Sequence, residues 1–108
     1  MSRAFHVFVT IQAKPHKERD VEAALQGLME PTHREDGCEC YIAQRRMDRP
    51  GVFYLVEKWR TVVDFRKHTA SSHLSAVMDR KDELFEVLDI AFVSPIIGGD
   101  SAKRQYSP

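Results

Sequence analysis

The order of secondary-structure signals predicts an α+β domain: an antiparallel sheet laid down as β-α-β-β-α-β, with its helices on one face. Three observations carry this. Four segments have the length and composition of strands, helical stretches separate the first from the second and the third from the fourth, and only the middle two are joined by a tight turn. A length of 108 residues suits one domain, and an apolar content of 43% is enough to fill its core.

The first strand is "AFHVFVTIQA". Phe5, Val7, Val9 and Ile11 fall on one face; Ala4, His6, Phe8, Thr10 and Gln12 fall on the other. Pro15 stops it. From Lys17, Val21, Leu25, Leu28 and Thr32 recur at helical spacing, so an amphipathic helix is expected. Pro31 should end or kink that helix, because it removes a backbone donor and crowds the turn before it. "EDGCECYIAQRRM" reads as a turn at Gly37 followed by the second strand. "DRPG", from Asp48 to Gly51, is a turn signal, and "VFYLVEKWR" is a third strand rich in aromatic and β-branched residues. These two strands should form an antiparallel hairpin.

Thr61 suits an N-cap, with Asp64 at the third helical position, and starts a short helix through Phe65 to about His68. Ser71 or Ser72 caps another, which carries Leu74, Val77, Met78 and Leu84 inward. "LFEVLDIAFVSPI" is the fourth strand, ended near Pro95. The domain is thus expected over residues 1–97. A polar, Gly-led tail, residues 98–108, is expected to be mobile or to lie on a partner.

This order is the split arrangement of a ferredoxin-like fold. Strands three and four add a further expectation, because both of their faces are apolar. Phe53, Leu55 and Trp59 are backed by Val52, Tyr54 and Val56; Leu88, Ile90 and Phe92 are backed by Phe85, Val87, Ala91 and Val93. Helices cover only one face. A homodimer, with a two-fold partner sheet on the other, is the simplest cover.

Sixteen basic residues balance sixteen acidic ones, so charge supplies no reason to bind nucleic acid or an anionic membrane. No run reaches about 18 apolar residues, and the N-terminal stretch does not read as a signal peptide. Cys38 and Cys40 are the only cysteines. They are too close for a relaxed disulfide in an extended segment and suit small strand residues in a reducing cytoplasm.

One stretch concentrates chemistry: "EKWRTVVDFRKHTASSHL", with Glu57, the only Trp (Trp59), His68 and His73. Glu57 has the strand parity of Leu55 and Trp59, so it is expected among apolar side chains and in need of a donor. His68 and His73 are the nearest in sequence. A Glu–His pair would fix the tautomer of a general base, or would simply tie the helix to the third strand. Five residues apart on one helix, the two rings would point about 140° apart at 100° per residue. They meet only if "TASS" breaks the helix. The spacing is not that of a helical zinc site, and no metal or other cofactor is expected.

With these residues the chain resembles the antibiotic biosynthesis monooxygenase domain family, over roughly Phe5 to Pro95. The resemblance rests on "KPHKERDVEAAL", "EDGCECY" and "YLVEKWRTVVDFRKHTASSHL"; Glu57, Trp59, Phe65, His68 and His73 match the family pattern in the last. The family often has Gly where His16 stands. The resemblance implies a dimeric α+β barrel and a small pocket between sheet and helices. It also implies, in many members, oxygen chemistry without metal or flavin. The chain contains no Asn, and "VFV" (Val7 to Val9) stands where haem-degrading and polyketide-oxidising members carry one. The quinol-oxidising and isomerase-like members are therefore nearer.

The expected function is a cofactor-independent monooxygenase acting on a small electron-rich aromatic of quinol or phenol type, with molecular oxygen as co-substrate. His73 is the preferred base, because the "TASS" break could aim it back toward the strand bearing Glu57 and Trp59, and His68 is the other candidate, each with Glu57; Trp59, Phe65, Val9 and Leu55 contact the substrate. Two alternatives use the same pocket: an isomerase of a small carbonyl compound, and a small-molecule-binding dimer that does no chemistry.

Overall fold

In a computed structural model, which describes residues 3–104, the elements follow the predicted order. The first half comprises β1 (Phe5–Ala13), α1 (Glu18–His33) and β2 (Cys38–Arg45). The second comprises β3 (Val52–Trp59), α2 (Val62–Thr69), α3 (Ser72–Met78), the single-turn α4 (Lys81–Leu84) and β4 (Phe85–Val93). The sheet runs β2-β3-β1-β4, with every neighbouring pair antiparallel. This is the expected ferredoxin-like α+β layout.

The register explains the two faces. Val9 pairs with Leu55 on one side and with Ile90 on the other, so all three point toward the helices. Val7, Val9, Ile11, Leu55 and Trp59 form the core with Val21, Leu25 and Leu28 of α1. On the other face Phe8 pairs with Val56 and Ala91, and its ring stacks on Tyr54 with centroids 5.7 Å apart. That face is apolar and open: Phe8 is 37% exposed and Val93 48%.

Two elements differ from expectation. α1 does not stop at Pro31 but runs on to His33. A proline so near the end forfeits only the bond to the Gly27 carbonyl, and Gly27 is exposed to water. Burial of Thr32 beneath the last turn holds the extension in place. The region after β3 forms three short helices rather than two. Thr61 caps α2 and Ser71 caps α3, each accepting a backbone N–H three residues on, while Leu84 belongs to the added α4. After β4 the described chain is exposed throughout, with one 3-10 turn, Ser101–Lys103, capped by Asp100. The end of the expected tail, residues 105–108, lies outside the described residues. Among the described residues no helix is long and apolar enough to cross a membrane.

Candidate functional site

A cavity of about 230 Å³ lies between the sheet and the short helices. Val7, Val9, Leu55, Leu74, Val77 and Leu88 give it an apolar wall. Phe65 closes one end, packed against Phe5 at 5.3 Å and Phe92 at 5.7 Å between ring centroids. Four residues with polar side chains line the cavity as well: Glu57, His68, Tyr41 and Thr69, whose hydroxyl donates to the Arg66 carbonyl. The expected contacts Val9, Leu55 and Phe65 all line it.

Glu57 is 4% exposed, on β3. Its partner is not a histidine, as the sequence suggested, but Trp59, whose indole N–H donates to Glu57 Oε1 at 2.9 Å. Successive side chains of a strand alternate faces, so residues two apart stand side by side and can bond this way. Burial pushes the Glu57 carboxyl up to about 7, against the smaller opposing effect of the indole N–H. At neutral pH this group therefore carries a proton much of the time.

Trp59 is fully buried and stands behind the site rather than in its wall. Its ring lies against His68, with centroids 4.6 Å apart, so it sets the imidazole's plane. His68, on α2, is 2% exposed and lines the cavity. Its Nδ1–H donates to Glu35 Oε2 at 2.7 Å. That bond assigns the tautomer: the proton sits on Nδ1, and Nε2 keeps its lone pair. Nε2 has no partner among the described residues. Burial lowers the pKa of His68, with Glu35 opposing, so the neutral ring is favoured.

His73 opens α3 beyond the predicted break. Its Nε2 donates to the same Glu35 oxygen at 2.8 Å, and the ring does not line the cavity. The break thus brings the two histidines together, but on a third residue that sequence spacing did not single out. Glu35 lies 33 positions before His68, in the connector between α1 and β2. The one available signal was its place at the head of the "EDGCECY" motif.

The connector is pinned. Glu35 N donates to Thr32 O at 3.0 Å, Cys38 N to Glu35 O at 3.0 Å, and Arg60 N to Gly37 O at 2.8 Å. Gly37 is buried, and a Cβ there would overlap the Asp64 side chain. The Arg60 guanidinium grips Asp64 at 3.0 Å and Asp36 at 3.3 Å.

Tyr41 is 2% exposed. Its phenol neighbours the Thr32 hydroxyl, yet neither buried oxygen makes a well-formed hydrogen bond among the described residues. Burial and the nearby carboxyls push the phenol pKa well up, so it stays a neutral donor. His33 spends its Nε2–H on the Tyr41 carbonyl at 2.8 Å, which makes it a brace. The cysteines are free, and a bulge between them places Cys38 opposite Trp59 and Cys40 opposite Lys58, on opposite faces. Burial pushes the Cys38 thiol up to about 11.

The family model for antibiotic biosynthesis monooxygenase matches residues 4–80. The chain belongs to that family. The antibiotic biosynthesis monooxygenase fold recurs in solved structures. The PA3566 protein of Pseudomonas aeruginosa superposes with a TM-score of 0.85 at 24% identity, over 90% of this chain and 98% of that one. The SO0527 protein of Shewanella oneidensis gives 0.81 at 24%, over 86% and 91%. Rv0793 of Mycobacterium tuberculosis gives 0.82 at 22%, over 91% and 100%. At such identities the likeness is one of fold. A comparison with curated proteins finds no match. Membership in the antibiotic biosynthesis monooxygenase family supports a general monooxygenase-like function.

Proposed function

We propose that the protein is a monooxygenase that oxidises a small electron-rich aromatic, of quinol or phenol type, in the cavity bounded by His68 and Glu57. The observation that carries this reading is the Glu35–His68 dyad. A carboxylate holds one ring nitrogen of a histidine that lines an apolar cavity, which leaves the other nitrogen its lone pair. The volume supports a small ligand. About 150 Å³ already accommodates benzene, so 230 Å³ admits a substituted ring and is far too small for a tetrapyrrole.

Oxygen reacts slowly with closed-shell molecules, but a deprotonated quinol is a good one-electron donor. His68 Nε2 takes the hydroxyl proton, and the resulting anion passes an electron to oxygen. Radical recombination forms a ring peroxide. Cleavage of its O–O bond leaves one oxygen on the ring and releases the other as water, so quinol plus O₂ gives hydroxyquinone plus water. All four electrons come from the substrate. Glu57, protonated near pH 7, supplies the proton to the departing oxygen. The dry wall keeps the intermediates from bulk water.

The open apolar sheet face around Phe8 and Tyr54 supports the expected homodimer, in which a second copy of the chain would cover it. Light scattering should report twice the chain mass. A monomer at micromolar concentration would remove the barrel.

The acid–base pair also suits a second reading, the isomerase, in which His68 and Glu57 move a proton beside a carbonyl. An oxygen electrode with a panel of quinols and phenols separates the two. Uptake of one O₂ per quinol, with hydroxyquinone formed, is expected. Turnover that proceeds equally under nitrogen sinks the monooxygenase reading.

A further inference from the structure

We propose that Glu35, His68 and His73 form a binding site for one divalent transition-metal ion of the zinc class. Their donor atoms, one from each residue, lie within 4.8 Å of one another. Both ring nitrogens point at one carboxylate oxygen, at 2.7 Å and 2.8 Å. The in-plane bonding directions of the two ring nitrogens therefore converge on a single point, and each offers a lone pair there once its proton moves to the other nitrogen of the ring. An ion near that point needs bonds of about 2.0–2.2 Å to nitrogen and oxygen, so a small retreat of the Glu35 carboxylate makes room for it.

The site's accessibility is suited to loading. The side chains of Glu35 and His73 are 17% and 22% exposed, so an ion and its remaining waters enter from outside. His68 stands behind them at 2%, its ring plane held by Trp59. The three ligands come from three segments: the α1–β2 connector, α2 and α3. That is why spacing along the chain did not reveal the set. Two neutral imidazoles and a carboxylate suit zinc, cobalt or iron(II) and fit calcium or magnesium poorly, because those ions take oxygen ligands.

Coordination has a consequence at the cavity. Each neutral ring keeps one proton. When His68 Nδ1 binds the ion, its proton goes to solvent and Nε2 takes one up. The nitrogen at the cavity then becomes a donor and ceases to be a base. Zinc is thus an inhibitor that acts from outside the cavity. The binding rests on geometry alone; only the inhibition rests on the reading of His68 as base.

Cobalt(II) titration of the metal-free protein, read by its visible ligand-field bands, should saturate at one ion per chain and reverse with zinc. Glu35→Ala and His73→Ala should each weaken binding at least tenfold, since losing even an outer partner typically costs about 10–100-fold. Should a variant lose its fold, imidazole nitrogen NMR of the wild type answers instead. Zinc should shift the ring nitrogens of His68 and His73 and leave His6 and His16 in place. No saturable binding, or binding that shifts the other histidines, overturns the site. Zinc saturation should also suppress quinol turnover by about 100-fold or more, the loss of a base, and EDTA should restore it. Zinc held by these residues with turnover intact leaves the site standing and removes His68 as base.

Discussion

Glu35 and Glu57 bracket one stacked pair. Glu57 accepts the Trp59 N–H, the Trp59 ring lies on His68, and His68 donates to Glu35, which also accepts His73. The two carboxyls share a side-chain type and a neighbourhood, yet they face different company. Glu57 sits in an apolar wall with one neutral donor and is pushed up to about 7, toward its protonated form. Glu35 sits at the edge with two ring N–H donors aimed at one oxygen. Donor count and access to water, more than residue type, separate the surroundings of the two carboxyls and motivate the different roles proposed for them.

The comparison breaks most sharply at His68, which only one of the two carboxyls holds. His68→Ala should lower quinol turnover by about 100-fold to 10,000-fold, roughly 3–5 kcal/mol of barrier. Circular dichroism should show the helices retained. Full turnover in a folded His68→Ala protein would place the chemistry elsewhere.

Glu57→Gln tests the other side. The amide keeps an oxygen for the Trp59 N–H and cannot ionise. In the wild type the folded pKa lies near 7, above the ordinary 4.5, so the unfolded chain deprotonates first as pH rises. Stability is therefore greatest below about 4.5 and is lost between there and about 7. The variant should match wild type near pH 4.5 and exceed it by up to roughly 3 kcal/mol at pH 8, read by urea unfolding. A constant gap across that range would mean that burial does not perturb Glu57.

Trp59→Phe keeps a ring behind His68 and removes the donor. It should cost roughly 1–2 kcal/mol, more above pH 7 than below, because the bond is then to a charged acceptor. A loss independent of pH would assign the whole effect to packing. His16→Gly is the smallest change and touches neither carboxyl. His16 holds a positive φ of 68°, which glycine adopts without strain. A gain of up to about 1 kcal/mol is expected, with turnover unchanged. A loss of turnover would show that the β1–α1 turn reaches the site.

The sheet was legible because period-two alternation at Phe5, Val7, Val9 and Ile11 reports burial directly. The caps Thr61 and Ser71 were legible because capping is local chemistry. Two features of the site were not. That Trp59 satisfies Glu57 follows from strand parity, but parity alone does not choose between a strand neighbour and a histidine on a helix. Glu35 lies in a connector with no periodicity, and its partners are brought to it by tertiary packing. Pro31 misled for a related reason: local propensity argued for a stop, and burial of Thr32 outweighed it.

Gly37 limits how such a protein can be redesigned or can diverge. The connector that carries Glu35 is short, closed at both ends by backbone bonds, and seated so tightly on Asp64 that position 37 admits no side chain. Insertions there would unseat the carboxylate from both rings at once. The hairpin tip between β2 and β3 is exposed and carries none of the cavity's polar groups. Changes of length should thus be tolerated at the hairpin end of β2 and disruptive at the connector end. If the cavity is the proposed substrate site, its range would vary instead through the girth of the wall residues, with Leu74, Val77 and Leu88 as the dials.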